Sequence, residues 1–284
     1  MALSRSVSGE NDSTQALPPG RVTIVGAGPG HPDYLTLKGL RVLQQADVIA
    51  YDALLDKSFR FLFPKKAFRI FVGKRCGNHT LAQEDIHRLM IRHARQGKRV
   101  VRLKGGDPFV YGRGGEEWLS LTAAGVAVDV VPGVSSLQAA GALAGVPLTH
   151  RGLANAVLTL ECHRESLERY DWPAIAAFLT GFDATLAILM GSRRVAVIAQ
   201  RLMAGGVDPA TPVALVENAT LAAQCARVAP LSQAAAGELT PLTDGPGVLY
   251  LGPTVALRAL LRDPVGEYAP QTPQNVLNSG MMAR

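Results

Sequence analysis

The sequence predicts an α/β protein made of two α/β domains, and three observations carry that prediction. Short β-branched runs alternate with stretches of helical spacing along most of the chain. Several of these runs feed directly into glycine-rich loops, as strands do where loops hold ligands. The 284 residues, 48% of them apolar, are enough for two cores of ordinary size. The expected division is an N-terminal domain over 20–134 and a C-terminal domain over 135–263. Residues 1–19 are rich in Ser, Asn, Asp and Gly and read as a disordered tail; residues 264–284 read as a flexible one.

The first strand is Val22-Thr23-Ile24-Val25, followed by a helix carrying Leu37, Leu40 and Leu43. Strands follow at Val48 to Tyr51, Val100 to Leu103 and Val126 to Val131, with a helix around Ile86, Leu89, Met90 and His93 between the second and third. Parallel pairing with helices on both faces is expected, which buries these nearly continuous apolar strands. Pro132-Gly133-Val134-Ser135-Ser136 breaks the pattern before an alanine-rich helix from Leu137 to Ala144. Beyond Pro147-Leu148-Thr149-His150-Arg151 come strands at Ala156 to Leu160, Leu186 to Leu189, Val213 to Val216 and Val248 to Leu251. Helices are expected near Ile175 and from Ile198 to Leu202.

The segment from Lys104 to Glu117 reads as a ligand-holding loop, with five glycines beside Asp107, Arg113, Glu116 and Glu117. An earlier loop, Gly26-Ala27-Gly28-Pro29-Gly30, invites a dinucleotide-binding reading, with Asp52 near the place of a ribose acid. Against it, His31 replaces the third glycine, and Pro32-Asp33 delays the helix. No Walker loop occurs.

A formal charge of +6 suggests an anionic partner, yet the basic residues are interleaved with acids, so nucleic acid is not required. The three cysteines are widely spaced, which points to neither a disulfide framework nor a metal site, and to a cytoplasmic setting. No apolar run is long enough for a membrane helix, and the first residues lack the apolar core of a signal peptide.

These motifs together resemble the uroporphyrinogen-III C-methyltransferases, a branch of the S-adenosylmethionine-dependent tetrapyrrole methylases. The resemblance runs from Val22 to about Leu261. It rests on Val25 to Gly30, Leu35-Thr36-Leu37-Lys38, Ala46-Asp47-Val48, Tyr51-Asp52, Val72-Gly73-Lys74-Arg75, Arg102 to Glu117, Pro132-Gly133-Val134 and Pro147 to Arg151. It implies a homodimer of two-domain subunits with the active site in the cleft between domains, no metal, and S-adenosylmethionine as methyl donor, leaving as S-adenosylhomocysteine.

By the same resemblance the donor would be held by Pro29, Gly105, Gly106, Asp107, Val110, Ser135, Ser136, Met190 and Ala219. Asp52 and Lys74 would be proton acceptor and donor. Arg113 and Glu116 would lie at the tetrapyrrole side with catalytic and binding roles; for the eight carboxylates of uroporphyrinogen, the basic residues Arg41, Lys74, Arg75, Arg113, His150 and Arg151 are the candidate partners. The implied reaction methylates uroporphyrinogen III at C2 and C7, through precorrin-1 to precorrin-2, a precursor of sirohaem, cobalamin and haem d1. A later precorrin methyltransferase and a non-catalytic S-adenosylmethionine-binding module are the alternatives.

The chain departs from the family pattern at His31, at Leu137, at Glu161-Cys162-His163 where Thr-Gly-His is usual, and at Asn218-Ala219-Thr220 where Asn-Gly-Thr is usual. A side chain replaces glycine at Cys162 and Ala219 without strain only where φ is negative. His163 reads either as a base or as a helix cap, and Met190 either as a donor contact or as core filling at a strand end. After methyl transfer, the cationic macrocycle must lose a proton; Asp52, Asp107, Glu116 and Glu117 are the candidate bases.

Overall fold

The structure is a computed structural model and describes residues 20–73 and 82–261. Lys74, the predicted proton donor, and Arg75 lie outside the described residues, as do both tails.

The first domain is built on a parallel sheet of five strands: β1 (Arg21–Gly26), β2 (Val48–Tyr51), β3 (Phe68–Phe71), β4 (Arg99–Lys104) and β5 (Ala127–Val131), in the order β3-β2-β4-β1-β5. Its helices are α1 (Leu37–Gln44), α2 (Gln83–Arg95) and α3 (Gly114–Ala123). Thr36 starts α1 by accepting the Gly39 N–H on its hydroxyl, at 3.0 Å. Alternation along the strands divides the core. Val25, Ile49, Val101 and Leu103 pack with Val42 and Leu43 of α1. Val22, Ile24, Val48, Ala50 and Val100 pack on the other face with Ile86 and Met90 of α2 and Leu121 of α3.

The chain therefore leaves β1 and β4, which are neighbours, toward opposite faces of the sheet. Such a reversal opens a crevice at the carboxyl ends of the two strands, where ligands bind in open α/β sheets.

The remaining elements are α4 (Ser136–Ala144), β6 (Ala156–Glu161), α5 (Arg164–Leu167), α6 (Trp172–Gly181), β7 (Ala184–Leu189), α7 (Val195–Ala204), β8 (Pro212–Glu217), β9 (Cys225–Pro230), α8 (Leu231–Ala235), β10 (Gly247–Leu251) and α9 (Arg258–Leu261). The second sheet has the order β6-β7-β10-β8-β9. Only β6 and β7 are parallel; β7/β10, β10/β8 and β8/β9 are antiparallel. Helices α6, α7 and α8 cover one face, and α4 covers the other. Tyr250 of β10 is wholly buried, and its hydroxyl donates to the Leu137 carbonyl of α4 at 2.7 Å, giving the phenol the partner that its burial demands.

The predicted strands and helices are present, with ends shifted by a few residues. One boundary needs correction. The run from Lys104 to Glu117 is not all loop, because α3 begins at Gly114 and takes Glu116 and Glu117 into its first turn. Two glycines are poor helix formers, but a Cβ on Gly114 would lie 2.5 Å from the Pro108 carbonyl oxygen, so close packing selects glycine there.

Candidate active site at the joined loops

Three loops leave the carboxyl ends of β1, β4 and β5 and pack backbone against backbone. Gly28 and Gly106 form a two-way bridge, Gly106 N–H to Gly28 O at 2.7 Å and the reverse at 3.2 Å. A Cβ on Gly133 would sit 2.4 Å from the Gly106 carbonyl oxygen, so nothing larger than glycine passes between these loops. Gly106 itself is at φ 68°, and its nearest atoms on the side of a missing Cβ are the Ser135 and Ser136 backbone, 3.9 Å away. Predicted donor residues Gly105, Gly106, Ser135 and Ser136 are thus brought together. The Ser135 hydroxyl accepts from Leu137 N–H and caps α4.

The second domain completes this loop cluster. The His31 N–H donates to the Thr220 hydroxyl at 3.0 Å in a buried contact between the first glycine loop and the segment Asn218-Ala219-Thr220. His31 Nδ1 also accepts from Asp33 N–H at 3.3 Å, starting the short turn of helix over Pro32–Tyr34. Asn218 and Thr220 take positive φ, at 50° and 73°, whereas Ala219 between them does not, and neither does Cys162. Both replacements of glycine are therefore accommodated without backbone strain.

Asp107 spends its carboxylate on the loops: Oδ1 accepts Phe109 N–H at 2.8 Å and Oδ2 accepts Gly133 N–H at 3.1 Å. Asp52 is anchored at their edge, with Oδ2 accepting Gly105 N–H at 3.3 Å and Oδ1 accepting Leu54 N–H at 3.1 Å. The Arg102 Nη2 stands 3.9 Å from Asp52 Oδ2.

Beside these loops lies a cavity of about 720 Å³ lined from both domains, by Phe109, Tyr111, Arg113, Gly114, Gly115 and Glu116 from the first and by Glu161, His163 and Met190 from the second. Three lining residues, Tyr111, Arg113 and Met190, hold left-handed backbone at φ 54°, 60° and 59°. Strain of this kind gathers at functional sites. Arg113 and Glu116 form an exposed ion pair, with Nε to Oε1 at 2.9 Å. The hydrogen bond from Arg113 holds the Glu116 carboxyl below the usual range and in turn raises the guanidinium. The Tyr111 hydroxyl meets the Thr159 hydroxyl of β6 at 3.1 Å, a direct link between the domains.

Of the other predicted residues, Pro29 and Val110 are half-buried within the loops. His150 and Arg151 are exposed on a turn closed by paired hydrogen bonds between His150 and Ala154, and neither is among the residues lining the cavity. His163 stands at the N-cap position of α5 with no side-chain capping bond, and its ring lines the cavity. Glu161 accepts the His163 N–H at 3.1 Å; burial raises its carboxyl, but hydrogen bonds from Ser166 and His163 bring it below the usual range. Cys162 is wholly buried, and burial pushes its thiol up to about 12, which removes it from nucleophilic chemistry.

Sequence reasoning named Arg102 and Thr220 only inside longer motifs and gave neither a role. Arg102 had a visible signal, since Val100-Val101-Arg102-Leu103-Lys104 sets two cations in an otherwise apolar strand. Thr220 had none, because its partner His31 is 189 residues away.

The site suits S-adenosylmethionine. The Ser135 and Ser136 turn and the apolar Pro29, Val110 and Met190 fit an adenosyl group with an amino-acid tail, whereas the Gly105 and Gly106 amides already donate to Asp52 and Gly28. No group of His, Cys, Asp and Glu able to hold a metal occurs among the described residues.

Comparison with known proteins gives the same picture. Residues 21–235 match the family described as tetrapyrrole (corrin/porphyrin) methylases. The chain is 44% identical over 239 residues to siroheme synthase 2 of Cronobacter sakazakii and 46% identical over 242 residues to siroheme synthase of Edwardsiella ictaluri. These alignments cover 84% and 85% of this chain but 51% of each relative, so the chain spans about half the length of the curated relatives it matches. The uroporphyrin-III C-methyltransferase of Thermus thermophilus, solved in native form and with S-adenosylhomocysteine, is 43% identical with a TM-score of 0.72; 84% of this chain covers 100% of that one. A cobalt precorrin-4 methyltransferase is 27% identical with a TM-score of 0.71, over 85% of this chain and 99% of that one. With this match over most of its length and its glycine loops meeting at one crevice, the chain belongs to the tetrapyrrole methylases.

Proposed function

We propose that this chain transfers methyl groups from S-adenosylmethionine to C2 and then C7 of uroporphyrinogen III, giving precorrin-2 by way of precorrin-1. The observation that carries the proposal is a 720 Å³ cavity lined from both domains, presenting Arg113 and Met190, beside glycine loops packed backbone against backbone. Relatives that are siroheme synthases and a uroporphyrin-III C-methyltransferase support the acceptor. Cobalamin and haem d1 synthesis would draw on the same product.

The donor supplies an electrophilic methyl group. The chain's part is placement: fixed backbone groups orient the donor, so that a carbon held in the neighbouring cavity meets the methyl in line. Arg113, at the cavity wall, offers a guanidinium to a substrate acetate or propionate.

Among the candidate bases, Glu117 is wholly buried in an ion cluster, Glu116 is tied to Arg113, and Asp107 braces two loops. Asp52 also accepts two backbone N–H groups, and it is the resemblance to the family that singles it out to take the proton released from the methylated macrocycle; its side chain is 20% exposed. Met190 and Ala219 would close the donor from the second domain.

A homodimer and a cytoplasmic setting complete the proposal. Dimerisation would cover apolar side chains such as Leu119 and Leu260, which are 75% and 80% exposed. Among the described residues no helix is long and apolar enough to cross a membrane.

The test is an anaerobic reaction of the purified protein with uroporphyrinogen III and S-adenosylmethionine, followed by product mass. A gain of two methyl groups is the expected result. Bound donor with no methylated product would remove uroporphyrinogen III as the acceptor.

A further inference from the structure

Strand β4 carries two cations into the interior of the first domain. Arg102 and Lys104, two residues apart and so on one face of the strand, are 4% and 5% exposed and converge on Glu117 of α3, which is 0% exposed. One carboxylate oxygen does all the accepting. Glu117 Oε1 takes Lys104 Nζ at 2.9 Å, Gln83 Nε2 at 3.1 Å and Arg102 Nε at 3.2 Å. Oε2 is buried without a hydrogen-bond partner among the described residues. Such atoms are rare in folded proteins, because the lost hydration is not repaid.

An arginine beside a carboxylate commonly closes a two-point pair on both oxygens. Here the guanidinium is divided. Its Nε faces Glu117, its Nη1 donates to the Leu103 carbonyl at 3.0 Å and the Ala50 carbonyl at 3.4 Å, and its Nη2 stands 3.9 Å from Asp52 Oδ2.

We propose that Lys104 and Glu117 are positioning residues for Asp52: Glu117 holds the Arg102 Nε while the Leu103 and Ala50 carbonyls hold Nη1, which leaves Nη2 directed at Asp52, and Lys104 offsets the Glu117 charge so that the guanidinium keeps this divided arrangement. The inference rests on the reading of Asp52 as proton acceptor. Among the described residues, two cations and two carboxylates form a balanced set, so removing one charge reaches Asp52 with a definite sign. Burial raises the Glu117 carboxyl, but Arg102 and Lys104 outweigh it and keep the group ionised. Among the described residues, the other charged groups facing the first turn of α3 are Arg113 and Glu116, already paired, and Glu84 and His87 of α2.

The test reads the acidic limb of kcat/KM for the tetrapyrrole in Lys104→Met, Glu117→Gln, the double variant and Lys104→Arg. In Lys104→Met a cation is lost near Asp52, and the limb moves to higher pH by about one unit. In Glu117→Gln two cations face Asp52 alone, and the limb moves to lower pH by about the same amount. The double variant and Lys104→Arg return it to the wild-type position. S-adenosylhomocysteine affinity and unfolding temperature identify variants that keep the fold, and if Lys104→Met does not fold, Glu117→Gln against Lys104→Arg decides. Limbs that stay in place, or move in one direction for both single variants, overturn the proposal. Asp52→Asn separates the two readings: if it leaves the limb unchanged, Asp52 is not the acceptor; if it abolishes the limb while the Lys104 and Glu117 variants do not move it, the positioning role alone fails.

Discussion

The Asp107 carboxylate accepts the Gly133 N–H at 3.1 Å, joining the loop after β4 to the loop after β5 across the end of the intervening β1. A side chain of the type that touches ligands acts here as a brace, and the brace fixes the glycine backbone at which the donor would lie.

Replacing Asp107 by Ala removes both acceptors, and the loops lose about 2 kcal/mol of support. Affinity for S-adenosylhomocysteine, measured by calorimetric titration, falls at least roughly tenfold. Asp107→Asn keeps one acceptor oxygen and gives an intermediate loss.

Gly133→Ala places a methyl group 2.4 Å from the Gly106 carbonyl oxygen, with backbone on both sides and no flexible side chain to yield. The loops must separate. A destabilisation of about 3 kcal/mol is expected in urea unfolding, together with loss of donor binding.

Asp183 sits exposed at φ 46° in the turn between α6 and β7, far in function from the cavity lining. Asp183→Gly relieves the left-handed strain, offset in part by the greater freedom of glycine in the unfolded chain. The net gain is about 0.5 kcal/mol, seen as a higher unfolding temperature with kcat/KM unchanged.

Glu217 gives the second domain an acid sensitivity. Burial raises its carboxyl, but the Leu242 and Thr243 N–H groups and the Thr243 hydroxyl outweigh this and hold it below its ordinary value of 4.5. A depressed carboxyl contributes stability in full above its unfolded value, and that contribution is lost as pH falls through its lower folded value. Unfolding temperatures taken from pH 7 downward should therefore show Glu217→Gln below wild type near neutrality, with the gap closing under acid. A gap that widens under acid would contradict this account.

Much of the fold was legible because β1, β2, β4, β7, β8 and β10 are central strands whose apolar runs are bounded by turn residues. The strands that escaped notice are edges. Phe68-Arg69-Ile70-Phe71 of β3 is short and largely exposed, and Cys225-Ala226-Arg227-Val228-Ala229 of β9 buries too little to show a pattern. The antiparallel pairing of the second sheet had no local signature, since direction is set by connections rather than by strand composition. At the site, the glycines of the Lys104 to Glu117 segment were legible because close backbone approach demands them, whereas Ser135 and Ser136 came only from the resemblance to the family. Asp107 was legible as an acceptor, but its partners are backbone N–H groups of its own chain. The Arg102–Lys104–Glu117 cluster depends on a strand meeting a helix, and so appears only in three dimensions.

The hydrogen bond from His31 to Thr220 spans 189 residues of sequence. On a growing polypeptide, the first glycine loop emerges long before the segment that closes over it. On the proposed reading, with Met190 and Ala219 closing the donor, its capture would wait until the second domain has been synthesised and docked. A donor held by both domains would add its binding free energy to that docking.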